Sequence, residues 1–239
     1  MLLNNQLYSN LDLLVNTSQL LALKTNFDAA IVRNWHQSKP TKYSGPVNFI
    51  NQKLGIVDYI ELARKHPSKF GPIELIQQLD QEDLLGSYLR YQVEVSYNSL
   101  SMNLRYTSDY LKKDDPTYCH ATNADQHFDF FYNWLDQQNI FCWYGRVVIF
   151  LNEPGIATLE HRDLPDNTHG IDEFIWINLD KRKRFYVVDP DSQQRVYINN
   201  TIAWFNTVDL HGAEPVDYAT YSIRVDGRFT DHMRKLLKI

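Results

Sequence analysis

Two histidines and one aspartate in the second half of the chain are spaced so that they could bind one metal ion. His161 and Asp163 lie two residues apart at the end of a predicted strand, and His211 lies at the end of a later one. Because side chains on one face of a strand repeat every two residues, His161 and Asp163 point to the same side. Two imidazoles and a carboxylate that leave further coordination positions open suit non-haem Fe(II) best. We therefore expect these three residues to be the metal ligands and the catalytic centre.

A second His-x-Asp triplet, formed by His127 and Asp129, demonstrates that the spacing alone is not specific. The chain contains 8 histidines, so chance triplets are expected. His127 and Asp129 lie in a predicted amphipathic helix over 125–138, where residues two apart diverge by about 200° and cannot share a metal ion. The prediction for His161 and Asp163 therefore depends on their position at a strand end.

Polar side chains on two further predicted strands could bind a carboxylate. Arg224 and Ser222 share one face of the last strand, and a guanidinium group donates two parallel hydrogen bonds to a carboxylate. Asn178 shares a face with Trp176, and a polar side chain inside a barrel needs a partner, which a bound carboxylate could supply. A surface salt bridge is the alternative role for Arg224.

The elements that must position these residues change from helices to strands midway along the chain. Apolar and turn residues predict helices over 11–23, 56–62, 72–79 and 125–138, two paired strands over 91–97 and 100–106, and a loop over 111–124. Seven short strands follow, at 147–151, 156–161, 174–179, 185–189, 195–198, 201–208 and 219–225. They indicate an antiparallel sandwich or barrel of the jelly-roll type. We expect one α+β domain over 1–239: a mainly helical part at 1–140 buttressing a β-core at 141–229, and a closing helix at 230–239.

Composition narrows the classes of partner. The 239 residues include 24 Lys and Arg against 29 Asp and Glu, a net charge of −5, and no block of five like charges occurs, which argues against nucleic acid. The 2 cysteines are too few for a disulfide framework or a cysteine-rich zinc site and favour a reducing compartment. No apolar run approaches the roughly 18 residues that span a bilayer. We therefore expect a cytoplasmic protein with no membrane partner.

The set His161, Asp163, His211 and Arg224 resembles the metal and co-substrate residues of the Fe(II)- and 2-oxoglutarate-dependent oxygenases. The resemblance covers about residues 144–229. It implies a double-stranded β-helix, or cupin-like, core in which the two histidines and the aspartate hold Fe(II). It also implies that 2-oxoglutarate is a co-substrate.

The resemblance further implies a role for the last predicted strand. Arg224 would bind the distal carboxylate of 2-oxoglutarate, with Ser222 assisting and Asn178 as a further candidate contact. Many members of the family carry the arginine earlier, in the slot that reads Thr-Tyr-Ser at 220–222 here. Arg228 is therefore a second candidate for the same role.

The reaction implied by the resemblance is hydroxylation of an unactivated C–H bond by molecular oxygen. The substrate would be a small molecule, an amino acid or a peptidyl side chain. Such chemistry requires that water is excluded from the site, and the loop over 164–170, directly after Asp163, is the predicted lid.

Two alternative functions stay open at this point. A cupin-like isomerase or dioxygenase would use the same barrel without 2-oxoglutarate, and it would show a further histidine or glutamate ligand. A metal-free binding module would hold a carboxylate ligand through Arg224, and it would keep that ligand after the substitution His211→Ala.

Overall fold

The structure, a computed structural model, describes residues 7–34, 39–40, 56–69, 73–86, 99–152, 154–163 and 172–238. The α-helices in these ranges are α1 (Thr17–Ala22), α2 (Lys24–Asn34), α3 (Ile56–Lys65), α4 (Ile73–Gln81), α5 (Asp129–Gln137) and α6 (Asp231–Leu237). The strands are β1 (Tyr8–Asn10), β2 (Lys39–Pro40), β3 (Ser99–Tyr106), β4 (His120–Ala121), β5 (Phe141–Asn152), β6 (Thr158–His161), β7 (Phe174–Ile177), β8 (Phe185–Val188), β9 (Arg195–Tyr197), β10 (Ile202–Phe205), β11 (His211–Ala213) and β12 (Thr220–Phe229).

The strands form two antiparallel sheets. The larger sheet has the strand order β1-β10-β7-β12-β5-β3-β2, with β4 paired to β3, and the smaller sheet has the order β6-β11-β8-β9. From β5 to β8 the chain alternates between the two sheets, and it alternates again from β9 to β12. His161 and His211 lie on the smaller sheet and Asp163 directly follows its strand β6, whereas Arg224 lies on β12 of the larger sheet. The site is therefore built from both sheets.

Apolar side chains of the two sheets meet in one core. Trp176 of β7 stacks on Phe185 of β8, with 4.5 Å between the ring centroids. Phe205 of β10 lies 5.1 Å from the same Phe185 ring. Because β8 belongs to the smaller sheet and β7 and β10 to the larger, these contacts join the sheets face to face, and the protein is a mixed helix and antiparallel-sheet structure with a β-sandwich core.

Helices from the first half of the chain extend this core. Phe27 of α2 lies 5.2 Å from the ring of Phe131 of α5, and both residues belong to the cluster that includes the buried strand residues. The indole N–H of Trp134 donates to the carbonyl of Asn16, 3.1 Å away, which ties α5 to the start of α1. No helix in the described ranges is long and apolar enough to cross a membrane.

Most of the predicted elements are present, although β4 lies within the predicted loop over 111–124, and the predicted helix over 125–138 is a 3-10 turn at Asp125–His127 followed by α5. Two further differences are informative. The predicted helix over 11–23 is interrupted, because the side chain of Asn16 accepts a hydrogen bond from the N–H of Gln19 and starts α1 only at Thr17. The predicted strand over 201–208 ends at Phe205, so His211 begins the separate strand β11 and does not end the earlier one.

The reason for the second difference is a turn between β10 and β11. The N–H of Asp209 donates to the carbonyl of Asn206 at 3.2 Å, and the side-chain amide of Asn206 donates to the carboxylate of Asp209 at 3.1 Å. Side chains of this kind stabilise turns. The predicted strand over 91–97 and the predicted lid over 164–170 lie outside the described residues.

Candidate metal centre

Strand pairing brings the two predicted histidine ligands together. Strands β6 and β11 are antiparallel neighbours, and His161 is the register partner of His211. Directly opposed residues on neighbouring strands have adjacent side chains. The two imidazole rings accordingly lie 4.4 Å apart between centroids, and the His211 side chain is buried.

Asp163 follows the end of β6 and completes the group. Its backbone N–H donates to the carbonyl of Thr207 at 3.1 Å, which holds the aspartate beside β11. Its Oδ1 lies 3.6 Å from Nε2 of His161 and 3.5 Å from Nε2 of His211. One ligand atom from each of the three residues lies within 4.8 Å of the others. Among the described residues, this is the one cluster of three or more such groups that could hold a metal ion.

The tautomer of His211 follows from its second ring nitrogen. Nδ1 lies 3.0 Å from the carbonyl oxygen of Asp209. A carbonyl oxygen only accepts hydrogen bonds, so Nδ1 carries the proton and the lone pair of Nε2 is available to a metal ion. Histidines that bind metal ions are usually oriented by a hydrogen bond of this kind.

The donor set fits a divalent iron ion. Burial alone would raise the pKa of the Asp163 carboxyl, but the positive charge of the neighbouring Arg224 holds this pKa well below its usual value. The aspartate is therefore an anion at neutral pH, as a metal ligand must be. Two imidazoles and one carboxylate provide the nitrogen and oxygen donors that non-haem Fe(II) takes.

Arg224 contacts the metal-ligand candidate directly and is held by three carboxylates. Its Nη1 donates to Oδ2 of Asp163. Its Nη2 donates to Oδ2 of Asp172 at 3.2 Å, and its Nε donates to Oδ1 of Asp226 at 2.9 Å. The ring of Phe174 lies under the guanidinium group, 3.9 Å away. Arg224 is buried, so the surface salt bridge considered from the sequence is not what the structure has.

Two more cations complete this buried network. Lys113 donates to Oδ2 of Asp172 at 2.7 Å, and Arg146 donates to Oδ2 of Asp226 at 2.7 Å. Three cations and three carboxylates thus lie together behind the site. Buried charges are tolerated where they are paired and hydrogen-bonded, so the near balance of this cluster explains its burial.

Comparisons with known proteins give structural similarity at low identity. No protein-family model matches the chain. No curated protein matches it either. A prolyl-4-hydroxylase from Pseudomonas putida is similar, with 9% identity and a TM-score of 0.33 over 54% of this chain and 72% of that one. A prolyl hydroxylase from Trichoplax adhaerens, solved with a hypoxia inducible factor peptide, has 12% identity and a TM-score of 0.35 over 58% and 66% of the two chains.

A third similar structure is an oxidoreductase of the 2OG-Fe(II) oxygenase family from Burkholderia pseudomallei. It has 11% identity and a TM-score of 0.35, and the match covers 53% of this chain and 64% of that one. The chain thus spans about two thirds of the length of these proteins. Identities and TM-scores of this size are too low to assign the chain to a family.

Ser222, Asn178 and Arg228, the other residues predicted to contact a co-substrate, each have different partners. Oγ of Ser222 accepts a hydrogen bond from Nζ of Lys183 at 3.1 Å. Oδ1 of Asn178 accepts from the backbone N–H of Asp180 at 3.2 Å, so a local backbone group satisfies it. Arg228 is partly exposed and faces Glu173, with 3.7 Å between the charged atoms. Of these three residues, Ser222 is the one that contacts a buried cation.

Lys183 is a polar residue of the barrel that the sequence analysis missed. It lies in the basic tract at 180–184, which is typical of a solvated turn, yet its side chain is buried. Its Nζ also donates to Oδ1 of Asn152 at 2.8 Å. Removal from water lowers the pKa of Lys183 to about 7, against a weaker opposing effect of Asp180. Lys183 lies in the turn between β7 and β8, and β8 is buried at every position, so strand alternation gives no signal for its burial.

Gly212 keeps the two histidine strands at the required distance. A Cβ atom at this position would lie 2.7 Å from the carbonyl oxygen of Thr158 and 2.9 Å from the hydroxyl of Tyr186. We expect Gly212→Ala to lower the free energy of unfolding by about 1–3 kcal/mol, because the backbone of β6 must move. The same movement separates His211 from its partner and weakens metal binding.

Urea unfolding and Co(II) titration of the same variant check this expectation. Gly86→Ala is the control, since the nearest atom there is the flexible end of the Ile60 side chain at 3.3 Å. An unfolding midpoint and a Co(II) affinity equal to those of the wild type would contradict the role given to Gly212.

Proposed function

We propose that this protein is a non-haem Fe(II)- and 2-oxoglutarate-dependent oxygenase that hydroxylates an unactivated C–H bond. The observation that supports this most strongly is the convergence of His161, Asp163 and His211 at one point of the sandwich. Bound Fe(II), with 2-oxoglutarate and molecular oxygen, supplies the oxidising chemistry. The protein provides three donors on one side of the ion, which leaves the other side for co-substrate and oxygen.

The proposed fold is a double-stranded β-helix. In support, β5, β7, β10 and β12 lie together in the larger sheet, and β6, β8, β9 and β11 form the smaller one. This alternation winds the chain through both sheets, as in two-sheet jelly rolls. The candidate ligands then lie at the end of β6, directly after it, and at the start of the neighbouring strand β11.

For the distal carboxylate of 2-oxoglutarate we propose Lys183, with Ser222 beside it. Lys183 is a buried cation whose hydrogen bonds go to the neutral acceptors Asn152 and Ser222, and no ion pair joins it to a carboxylate in the described part of the chain. A buried charge without a counter-ion is unfavourable, so an incoming carboxylate would stabilise it. Arg224, the sequence-based candidate for this role, already donates to three carboxylates.

The spacing along β12 is compatible with this assignment. Ser222 and Arg224 lie one side-chain repeat apart on the same face, a distance of roughly 7 Å. Arg224 contacts Asp163 and Ser222 contacts Lys183. A five-carbon dicarboxylate bound at the metal could therefore extend along this face of β12 toward Lys183.

The substrate class stays as proposed from the sequence: a small molecule, an amino acid or a peptidyl side chain. The cupin-like alternative without 2-oxoglutarate requires a further histidine or glutamate at the metal. Among the described residues, no such residue joins His161, Asp163 and His211. The carboxylate-binding alternative needs no metal and leaves the convergence of the three donors unexplained.

Anaerobic titration of the protein with Fe(II) and 2-oxoglutarate tests the proposed function. We expect a weak visible charge-transfer band, which arises when a 2-oxo acid chelates Fe(II), and we expect no band with Asp163→Ala. Succinate formation in air should depend on both additions. A wild type without the band, or an undiminished band in Asp163→Ala, would contradict the proposal.

A further inference from the structure

The two oxygens of the Asp163 carboxylate have different environments. Oδ1 faces Nε2 of both histidines, at 3.6 Å and 3.5 Å. Oδ2 accepts a hydrogen bond from Nη1 of Arg224. A carboxylate can bind a metal ion through one oxygen or through both, and the choice decides how many coordination positions remain for other ligands.

We propose that Arg224 is a positioning residue that occupies Oδ2 of Asp163, so that this carboxylate offers only Oδ1 to the metal ion. The proposal rests on the metal centre of the proposed function and adds how many oxygens of Asp163 bind the ion. Arg224 would thereby leave the bound ion a further coordination position for co-substrate or oxygen.

The surroundings of Arg224 are suited to this role. Asp226 and Asp172 accept hydrogen bonds from the other two guanidinium nitrogens, and the Phe174 ring supports one face of the group. Burial and fixed partners on three sides leave the guanidinium group one orientation. A lysine at the same position has a single nitrogen on a flexible stem and could not donate to three separate carboxylates in this fork geometry.

The positions of the neighbouring cations add to this rigidity. Lys113 binds Asp172 and Arg146 binds Asp226, so each carboxylate that orients Arg224 is itself held from the other side. The chain of contacts runs from β5 and the segment before it, through β12, to the metal ligand. Networks of this kind behind metal ligands set ligand orientation and metal affinity.

Co(II) is the probe for this inference, because its visible absorption is weak in six-coordinate sites and stronger at lower coordination numbers. We expect Arg224→Gln to change the visible spectrum of the Co(II) protein and to reduce Co(II) affinity roughly 10- to 100-fold. Arg224→Lys should restore neither the wild-type spectrum nor the wild-type Co(II) affinity in full. Arg228→Gln is the matched control on the same strand, and it should leave both readouts unchanged.

A second measurement on the wild type needs no substitution in the site. Infrared difference spectra of the ¹³C-aspartate-labelled protein with and without Zn(II) report the separation between the two carboxylate stretching bands. We expect a separation wider than that of the free carboxylate, which is the mark of binding through one oxygen. A narrower separation would show binding through both oxygens and would overturn the inference.

The outcomes separate this inference from the proposed function. A wild type that binds neither Co(II) nor Zn(II) would refute the metal centre itself. A wild type that binds Co(II), together with an Arg224→Gln variant of unchanged spectrum and Co(II) affinity that has lost only 2-oxoglutarate affinity, would overturn the positioning role and assign Arg224 to the co-substrate.

Discussion

Substitution of His211 by alanine is expected to abolish Fe(II) binding and reduce succinate formation to the background rate. Only one imidazole and one carboxylate would remain, and these two donors do not hold the ion against water. The loss of affinity should be well above the roughly 10- to 100-fold that removal of an outer hydrogen-bond partner causes. Titration with Fe(II) under anaerobic conditions, followed by an assay of the same samples in air, measures both effects.

The second His-x-Asp triplet provides the matched control for this prediction. Asp129→Ala removes an exposed carboxylate two residues after a histidine, and we expect unchanged Fe(II) affinity and activity. Thermal unfolding shows whether each variant is folded, which matters because His211 is buried. If His211→Ala retained Fe(II) at the wild-type affinity, the metal centre would have to be placed elsewhere.

The sequence predicted the β-core well because its strands are short, apolar and separated by turn residues. The strands β7, β8 and β10 are buried at every position, and each was expected within a few residues of its observed bounds. The short strand β11 was missed, because three residues of the composition His-Gly-Ala carry no alternating pattern. Its existence depends on pairing with β6 and β8, which is a tertiary effect.

The candidate metal ligands were predicted from residue type, spacing and position at strand ends, but the partners of Arg224 were not. Asp226 lies two residues after Arg224 on the same strand, so strand periodicity alone predicts that the two side chains share a face. Asp172 and Lys113 come from segments far apart in the chain, and only the fold brings them together. Residues that act through long-range ion pairs leave no local pattern in one sequence.

Two of the buried cations, Arg224 and Lys183, differ in the charge of their partners, and this difference guides the choice of co-substrate anchor. Arg224 has three carboxylate partners that already balance its charge, so a further carboxylate would gain little ion-pair free energy there. Lys183 has only neutral oxygen partners. A carboxylate that binds at Lys183 would therefore form a new ion pair there, with a favourable free energy.

Lys183→Met is accordingly expected to weaken 2-oxoglutarate binding on the order of 100-fold or more while Co(II) affinity is retained. Loss of one partner of a buried, hydrogen-bonded charge pair typically costs about 2–5 kcal/mol. Calorimetric titration of the Co(II) protein with 2-oxoglutarate measures the effect. Lys181→Met, an exposed lysine of the same tract, is the control and should bind normally. A weakened Lys181→Met variant beside a normal Lys183→Met variant would overturn the assignment.

The protonation of Lys183 should make 2-oxoglutarate affinity depend on pH. Because burial lowers the pKa of Lys183 to about 7, the amine of the ligand-free protein is largely neutral at pH 8 and above. Binding of a carboxylate requires the charged form, so 2-oxoglutarate affinity should fall by up to about tenfold per pH unit above this pKa. Lys183→Met should lack this slope.

The free energy of unfolding should rise with pH over the same range, whereas the affinity for 2-oxoglutarate falls. An unfolded lysine keeps its proton up to about pH 10.4, so between that pH and the folded-state pKa of about 7 the unfolded chain binds more protons than the folded one. The Lys183 contribution to the free energy of unfolding therefore rises with pH in this window, on the order of 1 kcal/mol per unit. Urea unfolding of the ligand-free wild type and of Lys183→Met at pH 7, 8 and 9 measures this contribution as the difference between their free energies of unfolding. A difference that does not change with pH would mean that Lys183 keeps its proton in the folded protein, and the affinity slope would then be absent as well.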